Sequence, residues 1–475
     1  MHELPQLRKV EDAFGQEVQV IGVHSAKFDR ERISEGIHQA VLKYGVRHPV
    51  VNDSRFSVWR AYGVRAWPTI AVIDPEGRVA AVQAGESPYE ALAPFLAAMI
   101  RNEDAKGRLH RSPAVLAAGG GTGNPGGGGP VEAVGVLPGG GPAAGPGGAS
   151  VSRTTSGPLF PGKLLASEER IFIADSGGNR VVVSDPDGNV KTVIGSGNGG
   201  WRDGTFEEAC FSAPQGMALA GGFLYVADSE SHTIRRIDLA RRLVETIAGV
   251  GAQGLGPVRS GPARKIPISS PWDLVIAGER LFIALAGSHQ IGVFDLEAGE
   301  IGPFAGNGLE QLADGPRLSA SFNQPSGLAT DGHVLYVADS EASAIRAVPL
   351  SDPKGKERVR TIVGVGLFDF GDRDGTGSEV LLQHPLDVAL NGGQLYIADT
   401  YNHRVKKLDP ETGSAARFAG SGRPGREDGH QAEFNEPGGL SILAGDLYVA
   451  DTNNHAVRIV EIQSARVRTL FLKGL

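Results

Sequence analysis

An eleven-residue pattern recurs six times in the last two-thirds of this 475-residue chain: IFIADSGGNRV, LYVADSESHTI, LFIALAGSHQI, LYVADSEASAI, LYIADTYNHRV and LYVADTNNHAV. The anchor of each copy is Asp175, Asp228, Leu285, Asp339, Asp399 and Asp451, and the copies are 52 to 60 residues apart. Four residues after the anchor stand Asn179, His232, His289, Ser343, His403 and His455, and six after it always Val or Ile. A fixed period with several short strands per unit means stacked supersecondary units that bury each other's faces, the sequence mark of a β-propeller. The second unit reads as four strands: GMALA, FLYVAD, TIRRID and LVETIAG. Its second strand is apolar on both faces, which suits a sheet sandwiched between two neighbours. Six units predict six blades over 158–475.

Upstream the pattern changes. Residues 1–106 alternate strand-like and helix-like segments. Glu17–Val23 (EVQVIGV) reads as a buried strand. Asp29–Val46 reads as a helix, with Asp29 at its N-cap and Gly45 as its stop. Pro68–Asp74 and the returning RVAAVQAG predict a hairpin around Pro-Glu-Gly. Ser87–Asn102 reads as a closing helix with Ser87 as N-cap and Pro88 at its first position. Residues 107–157 are Gly/Pro-rich and almost uncharged; such a segment buries too little side chain to offset backbone ordering, so a flexible linker is expected.

The repeats resemble NHL repeats, whose signature stands almost intact as YIADTYNHRV at 396–405, and the resemblance covers 158–475 in register. The first 106 residues resemble the thioredoxin-like redoxin family. Together, and with LFPGKLLA opening the propeller, the layout looks like the NHL-repeat proteins that carry an N-terminal thioredoxin-like domain. Larger members of that subgroup have a further C-terminal β-rich domain, which is not expected within the residues ending at Leu475. The fold class is therefore multidomain: an incomplete α/β thioredoxin-like fold, then an all-β six-bladed propeller.

The resemblance also locates chemistry. In such proteins a Cys-x-x-Cys motif directly precedes a stretch like Met1–Leu7 (MHELPQL), so that motif and its strand are expected upstream of Met1. Without that strand, Glu17–Val23 and Thr69–Asp74 lack a common neighbour, and the N-terminal domain is expected to be marginal or rearranged. Trp67, Pro68 and Thr69 match the cis-proline loop that faces thiol substrates in this fold. The ordinary reading of the same residues is a strand entry where proline's missing N–H costs nothing.

In the propeller, the Asp and His columns recur at one structural position per blade, so they are spread around a ring. The expected role is structural: Asp bonding the following turn, and no metal or other cofactor. Long loops at 195–213, 249–270, 306–324, 364–384 and 420–436 join the blades. Four carry Asp-Gly, at Asp203, Asp314, Asp374 and Asp428, which reads as turn chemistry. Strand parity puts these loops on the face of the Asp/His turns. Each innermost strand follows a proline, and two residues on stand Lys163, Gly216, Asp273, Gly327, Asp387 and Gly439. Lys163, Asp273 and Asp387 are thus expected to converge at the channel mouth, either as a ligand site for a cation or as a plug. Cys210, the single cysteine, sits among Glu207 and Glu208 and reads as an idle thiol.

Residues 158–475 carry 30 Lys and Arg against 39 Asp and Glu, a net of −9, which argues against nucleic acid. No run of apolar residues is long enough to predict a membrane span. The function expected is a scaffold that binds a protein or peptide on the long-loop face, without thiol exchange by these residues. The alternative is a thiol–disulfide oxidoreductase or peroxide-reducing redoxin with its cysteines upstream. A third reading is a propeller hydrolase or lyase with a channel ion. On the residues given, the expected location is the cytoplasm.

Overall fold

The computed structural model describes residues 3–85, 87–109, 111, 132–133, 157–351 and 358–475. Most of the 107–157 segment, read above as a linker, lies outside the described residues. The chain divides into two compact units, Met1–Val151 and Ser152–Leu475.

The first unit holds helices α1 (Glu3–Phe14), α2 (Ser34–Lys43), α3 (Ser57–Ala61) and α4 (Tyr89–Ala105). Its strands are β1 (Gly22–His24), β2 (Val50–Asn52), β3 (Thr69–Ile73), β4 (Val79–Ala84) and the short β5 (Glu132–Ala133). Three boundaries differ from the sequence reading. The first strand starts only at Gly22, because the N–H groups of Glu17 and Val18 both bond Phe14 O and extend the turn after α1. The helix expected over 29–46 is a 3₁₀ turn, Asp29–Arg32, broken from α2 by an extended Ile33. Asp29 is not the cap; Glu31 instead accepts the N–H groups of Lys27 and Phe28, each at 3.1 Å, and closes that turn on itself. Ser87 does not cap α4 either: Gln6 of α1 reaches across and takes the Tyr89 N–H at 3.1 Å. Gly45, at φ +57°, does end α2.

The strands form two sheets. β1 and β2 run parallel, with β5 antiparallel on the far side of β2. β3 and β4 form a separate hairpin. No strand among the described residues joins β1 to β3. No residue of β3 or β4 is buried, and Ile21, Val23, Ile73, Val79 and Val82 are exposed. A two-stranded hairpin with no fully buried residue and one strand largely in solvent is marginal in water. The segment 1–106 alone is therefore expected to melt without a cooperative transition; a sigmoidal circular-dichroism melt above about 60 °C, the range of ordinary stable domains, would contradict this.

The second unit is a six-bladed propeller. Each blade is a four-stranded antiparallel meander, and blade two reads Pro214–Ala220, Phe223–Asp228, Thr233–Asp238 and Leu243–Ala248, close to the strands read from sequence. The preceding loop adds a two-residue edge strand to blades two to five, such as Gly204–Thr205 on Leu243–Val244. Second strands are buried apart from their first residue in blades such as two and three, with apolar clusters shared between adjacent blades.

Neighbouring blades are joined by two recurring hydrogen bonds. The residue after the anchor, Ser176, Ser340, Thr400 or Thr452, donates its hydroxyl to the proline carbonyl of the next blade, at 2.5, 2.6, 2.8 and 2.8 Å; Ser229 does the same to Pro271 O. The column four after the anchor is left-handed, φ +48° to +54°. Its side chains accept the N–H before that proline: Asn179 from Ala213, His232 from Ser270, His289 from Gln324, Ser343 from His384, His403 from Glu436 and His455 from Phe160, at 3.0–3.3 Å. Asn and His tolerate this backbone conformation better than most residues, which accounts for the column's composition. The His455–Phe160 bond, with Thr452–Pro161, closes the ring. Blades one and six each have four consecutive strands, but the chain after blade six crosses the seam: the Lys473 N–H bonds Gly188 O at 2.8 Å and Lys473 O accepts the Val190 N–H at 3.0 Å, at the outer edge of blade one.

Candidate functional site

At the axis, the innermost strands slip register just after their prolines, between Pro271 and Asp273, Pro325 and Gly327, and Pro437 and Gly439. A bulge of this kind re-aims a side chain. At this level of the axis Lys163, Asp273 and Asp387 come together. Lys163 Nζ lies 3.2 Å from Asp273 Oδ2 and 2.7 Å from Asp387 Oδ1, and donates to Leu386 O at 3.0 Å. The carboxylates also accept N–H groups from the next blade, Leu328 to Asp273 at 2.8 Å and Leu440 to Asp387 at 2.7 Å. Lys163 is only 2% exposed. Burial pushes the Asp387 carboxyl up to about 7; Lys163 opposes this and Asp273 adds to it. The cation held by the two carboxylates is thus the chain's own ammonium.

The glycines of the same ring make room for the triad. A side chain begun at Gly216, Gly327 or Gly439 would come within 2.5, 2.6 and 2.6 Å of the Cα atoms of Asp273, Asp387 and Lys163. Real Cβ atoms do not approach backbone so closely, so charged residues and glycines must alternate for the inner strands to pack.

A second set of charges was not read from sequence. The anchor aspartates are fully buried, and in blades two, four and six each pairs with an Arg seven residues on: Asp228–Arg235 at 3.0 Å, Asp339–Arg346 at 2.9 Å and Asp451–Arg458 at 2.8 Å. Each Arg also grips the Asp of the preceding Asp-Gly, Asp203, Asp314 and Asp428, at 2.9, 2.9 and 2.7 Å. It lies over a buried phenylalanine, Phe211, Phe322 or Phe434. In blade five Lys406 takes this place between Asp399, Asp372 and Asp374. Burial raises Asp228 and Asp451 to about 6 against the pull of their arginines. Asp-Gly is therefore more than turn chemistry here. The signal was present, a cation seven after the anchor in an apolar strand, and missing in blade three, where the anchor is Leu285 and position 292 is Gly, and in blade one, where position 182 is Val and Asp175 pairs with Arg180 at 2.7 Å.

Cys210 is buried, its Sγ 3.4 Å from Ser196 Oγ, and its carbonyl accepts from Arg235. Among the described residues, no group of three His, Cys, Asp or Glu side chains is placed to hold a metal.

In the first unit the Trp67–Pro68 bond is cis. Trp67 donates its indole N–H to Ser25 O at 2.6 Å, Thr69 bonds Ala66 O at 2.7 Å, and Pro68 O accepts from Gly85. Trp59 and Phe56 pack beside Trp67, with ring centroids 4.4 and 6.3 Å away. Asp53 fixes this corner by accepting the N–H groups of Ser57, Val58 and Trp59 and the Ser25 hydroxyl. Burial alone would raise its carboxyl; the four hydrogen bonds outweigh that and hold it below the usual range. The three loop residues thus sit together, remote in sequence from the propeller triad.

Comparison with known proteins agrees with both halves. The NHL repeat family matches residues 382–408 and 434–460, and the thioredoxin-like family matches 1–79. The chain is 39% identical over its whole length to the Arabidopsis thaliana chloroplastic protein SUPPRESSOR OF QUENCHING 1, of which it spans 44%. It is 35% identical over 98% of its length to NHL repeat-containing protein 2 of Gallus gallus and 34% over 99% to that of Homo sapiens, spanning 65% and 66% of those proteins. With a thioredoxin-like unit and a propeller of NHL repeats in one chain, it belongs to the NHL-repeat-containing proteins that carry an N-terminal thioredoxin-like domain.

Proposed function

We propose that this chain is a scaffold whose propeller binds a protein partner on the long-loop face, with no thiol exchange by the residues present. One observation carries the reading. Trp201, Leu255, Leu309 and Phe368, each exposed, stand on the four consecutive loops that enter blades two to five. Exposed large apolar side chains gathered on successive loops of a rigid framework are what a docking surface requires. The axis offers no rival, because the Lys163 ammonium is already shared between Asp273 and Asp387. Nor does the single cysteine, buried within the propeller, supply a redox pair.

The test uses the full chain as bait beside two variants. In one, Trp201, Leu309 and Phe368 become serine. In the other, Leu219 becomes serine; it lies at the end of an innermost strand, on the opposite face. A partner held by the wild type and by Leu219→Ser, and weakened about tenfold or more in the loop variant, is the expected result. A partner indifferent to the loop variant would place binding elsewhere.

A further inference from the structure

The loop that enters blade three differs from its equivalents in a coordinated way. Blades two, four, five and six keep a buried cation between the anchor Asp and the loop Asp. Blade three has Leu285 for the anchor, Gly292 for the cation and Ser260-Gly261 for Asp-Gly. Leu285 fills the vacated space: a side chain begun at Gly292 would meet Leu285 Cδ1 at 2.9 Å. The loop is held by other means. Val258, Ala263 and Ile268 are buried in the cluster around Leu285, Gln290 accepts the Val258 N–H at 2.7 Å, and Gly254 N bonds Ile268 O.

What remains on its surface is of one sign. Residues 249–270 contain Arg259, Arg264 and Lys265 and no Asp or Glu, whereas each of the other four loops carries at least two carboxylates. All three cations are exposed, and none makes an ion pair among the described residues. They stand out on a propeller of net charge −9. The same loop supplies Leu255, 72% exposed, the least covered leucine of the described chain. It also touches both neighbouring loops: the Trp201 indole lies on Gly251, and the Pro257 ring packs where a side chain on Gly308 would begin, beside exposed Leu309.

We infer that this loop, 249–270, is the specificity element of the docking face, and that its partner is an acidic protein segment carrying apolar anchor residues. The inference rests on the scaffold reading above and narrows it. Unpaired cations on an otherwise acidic surface select and steer an opposite charge, while the fixed apolar ridge Trp201–Leu255–Leu309 supplies contact area at little ordering cost. A loop released from the blade's internal ion pairs is free to display its charges outward.

The experiment pans random peptides of about a dozen residues, long enough for two or three anchors, on the full chain. Binders are counter-screened on the charge-reversed variant Arg259→Glu/Arg264→Glu/Lys265→Glu and on Leu255→Ser, both checked for an unchanged melt. The expected binders combine Asp or Glu with Leu, Phe or Trp, weaken about tenfold or more on either variant, and weaken with added salt. Binders without an acidic excess, or indifferent to both variants, overturn the inference and leave the scaffold reading standing. Failure of any peptide to bind the full chain counts against both. Binding of mixed-sequence single-stranded RNA in competition with the peptides would make the loop a nucleic-acid surface and overturn the inference as well.

Discussion

Replacing Lys163 with methionine is expected to destabilise the propeller by about 3–5 kcal/mol, the usual loss when one member of a buried charge cluster is removed. The variant leaves Asp273 and Asp387 facing each other at the axis, without the ammonium that bridged them at 3.2 and 2.7 Å. The loss should depend on pH. The Asp387 carboxyl already stands at about 7 in the fold, against an ordinary 3.8. A group whose pKa is raised by folding holds a proton that the unfolded chain gives up. Its contribution is therefore full below about pH 4 and is lost as pH rises through about 7. Without Lys163 the carboxylates are stable together only when they share a proton, so the variant's deficit should be larger at about pH 8 than at about pH 5. Guanidinium unfolding of wild type and variant at both pH values measures this. An equal deficit at the two, or one below about 1 kcal/mol, would mean that packing and not charge holds the axis.

Arg346→Met is expected to cost about 3–5 kcal/mol as well, by stranding Asp339 inside the blade and releasing Asp314 from its loop position. Blade three shows that the same architecture stands without the set, provided all members change together. The triple variant Asp339→Leu/Arg346→Gly/Asp314→Ser, which copies Leu285, Gly292 and Ser260, should therefore lose less than the single one, about 1–2 kcal/mol. Such non-additivity is the signature of residues acting as one unit. If the triple variant were worse than Arg346→Met, the apolar solution of blade three would depend on its own surroundings, including Val258 and Ile268.

The propeller was legible because its repeat is written six times: the apolar second strand, the residue four after the anchor and the Val or Ile six after it each recur at one offset. Convergence of Lys163 with Asp273 and Asp387 was also legible, since equivalent positions around a closed ring must meet at its axis. The arginines were not. A cation does recur seven after the anchor, but in TIRRID two arginines stand side by side and nothing local says which turns inward; the structure buries Arg235 completely and leaves Arg236 partly exposed. The thioredoxin-like half was read less well because its boundaries depend on side chains far apart in sequence. Nothing near Ser87 announces that Gln6 will cap α4, and nothing near Asp29 announces that Glu31 will close the turn. The short β2 and α3 carry too few residues to display a period.

The seam between blades six and one has a consequence for how the ring is made. Five of the six blade-to-blade interfaces join stretches adjacent along the chain, so each can form as its second member emerges during synthesis. The sixth brings Phe160 to His455, across 295 residues. The four strands of each blade are made locally, but the tail after blade six also pairs with blade one, Lys473 bonding Gly188 O and accepting the Val190 N–H. Closure therefore docks blade six and its tail together, and it pays the whole entropy of joining distant ends in one late step. An open, crescent-shaped array of five or six blades is thus the natural species on the way to the ring. The seam is also where a pull on the two ends of the propeller would first part it, leaving every individual sheet intact.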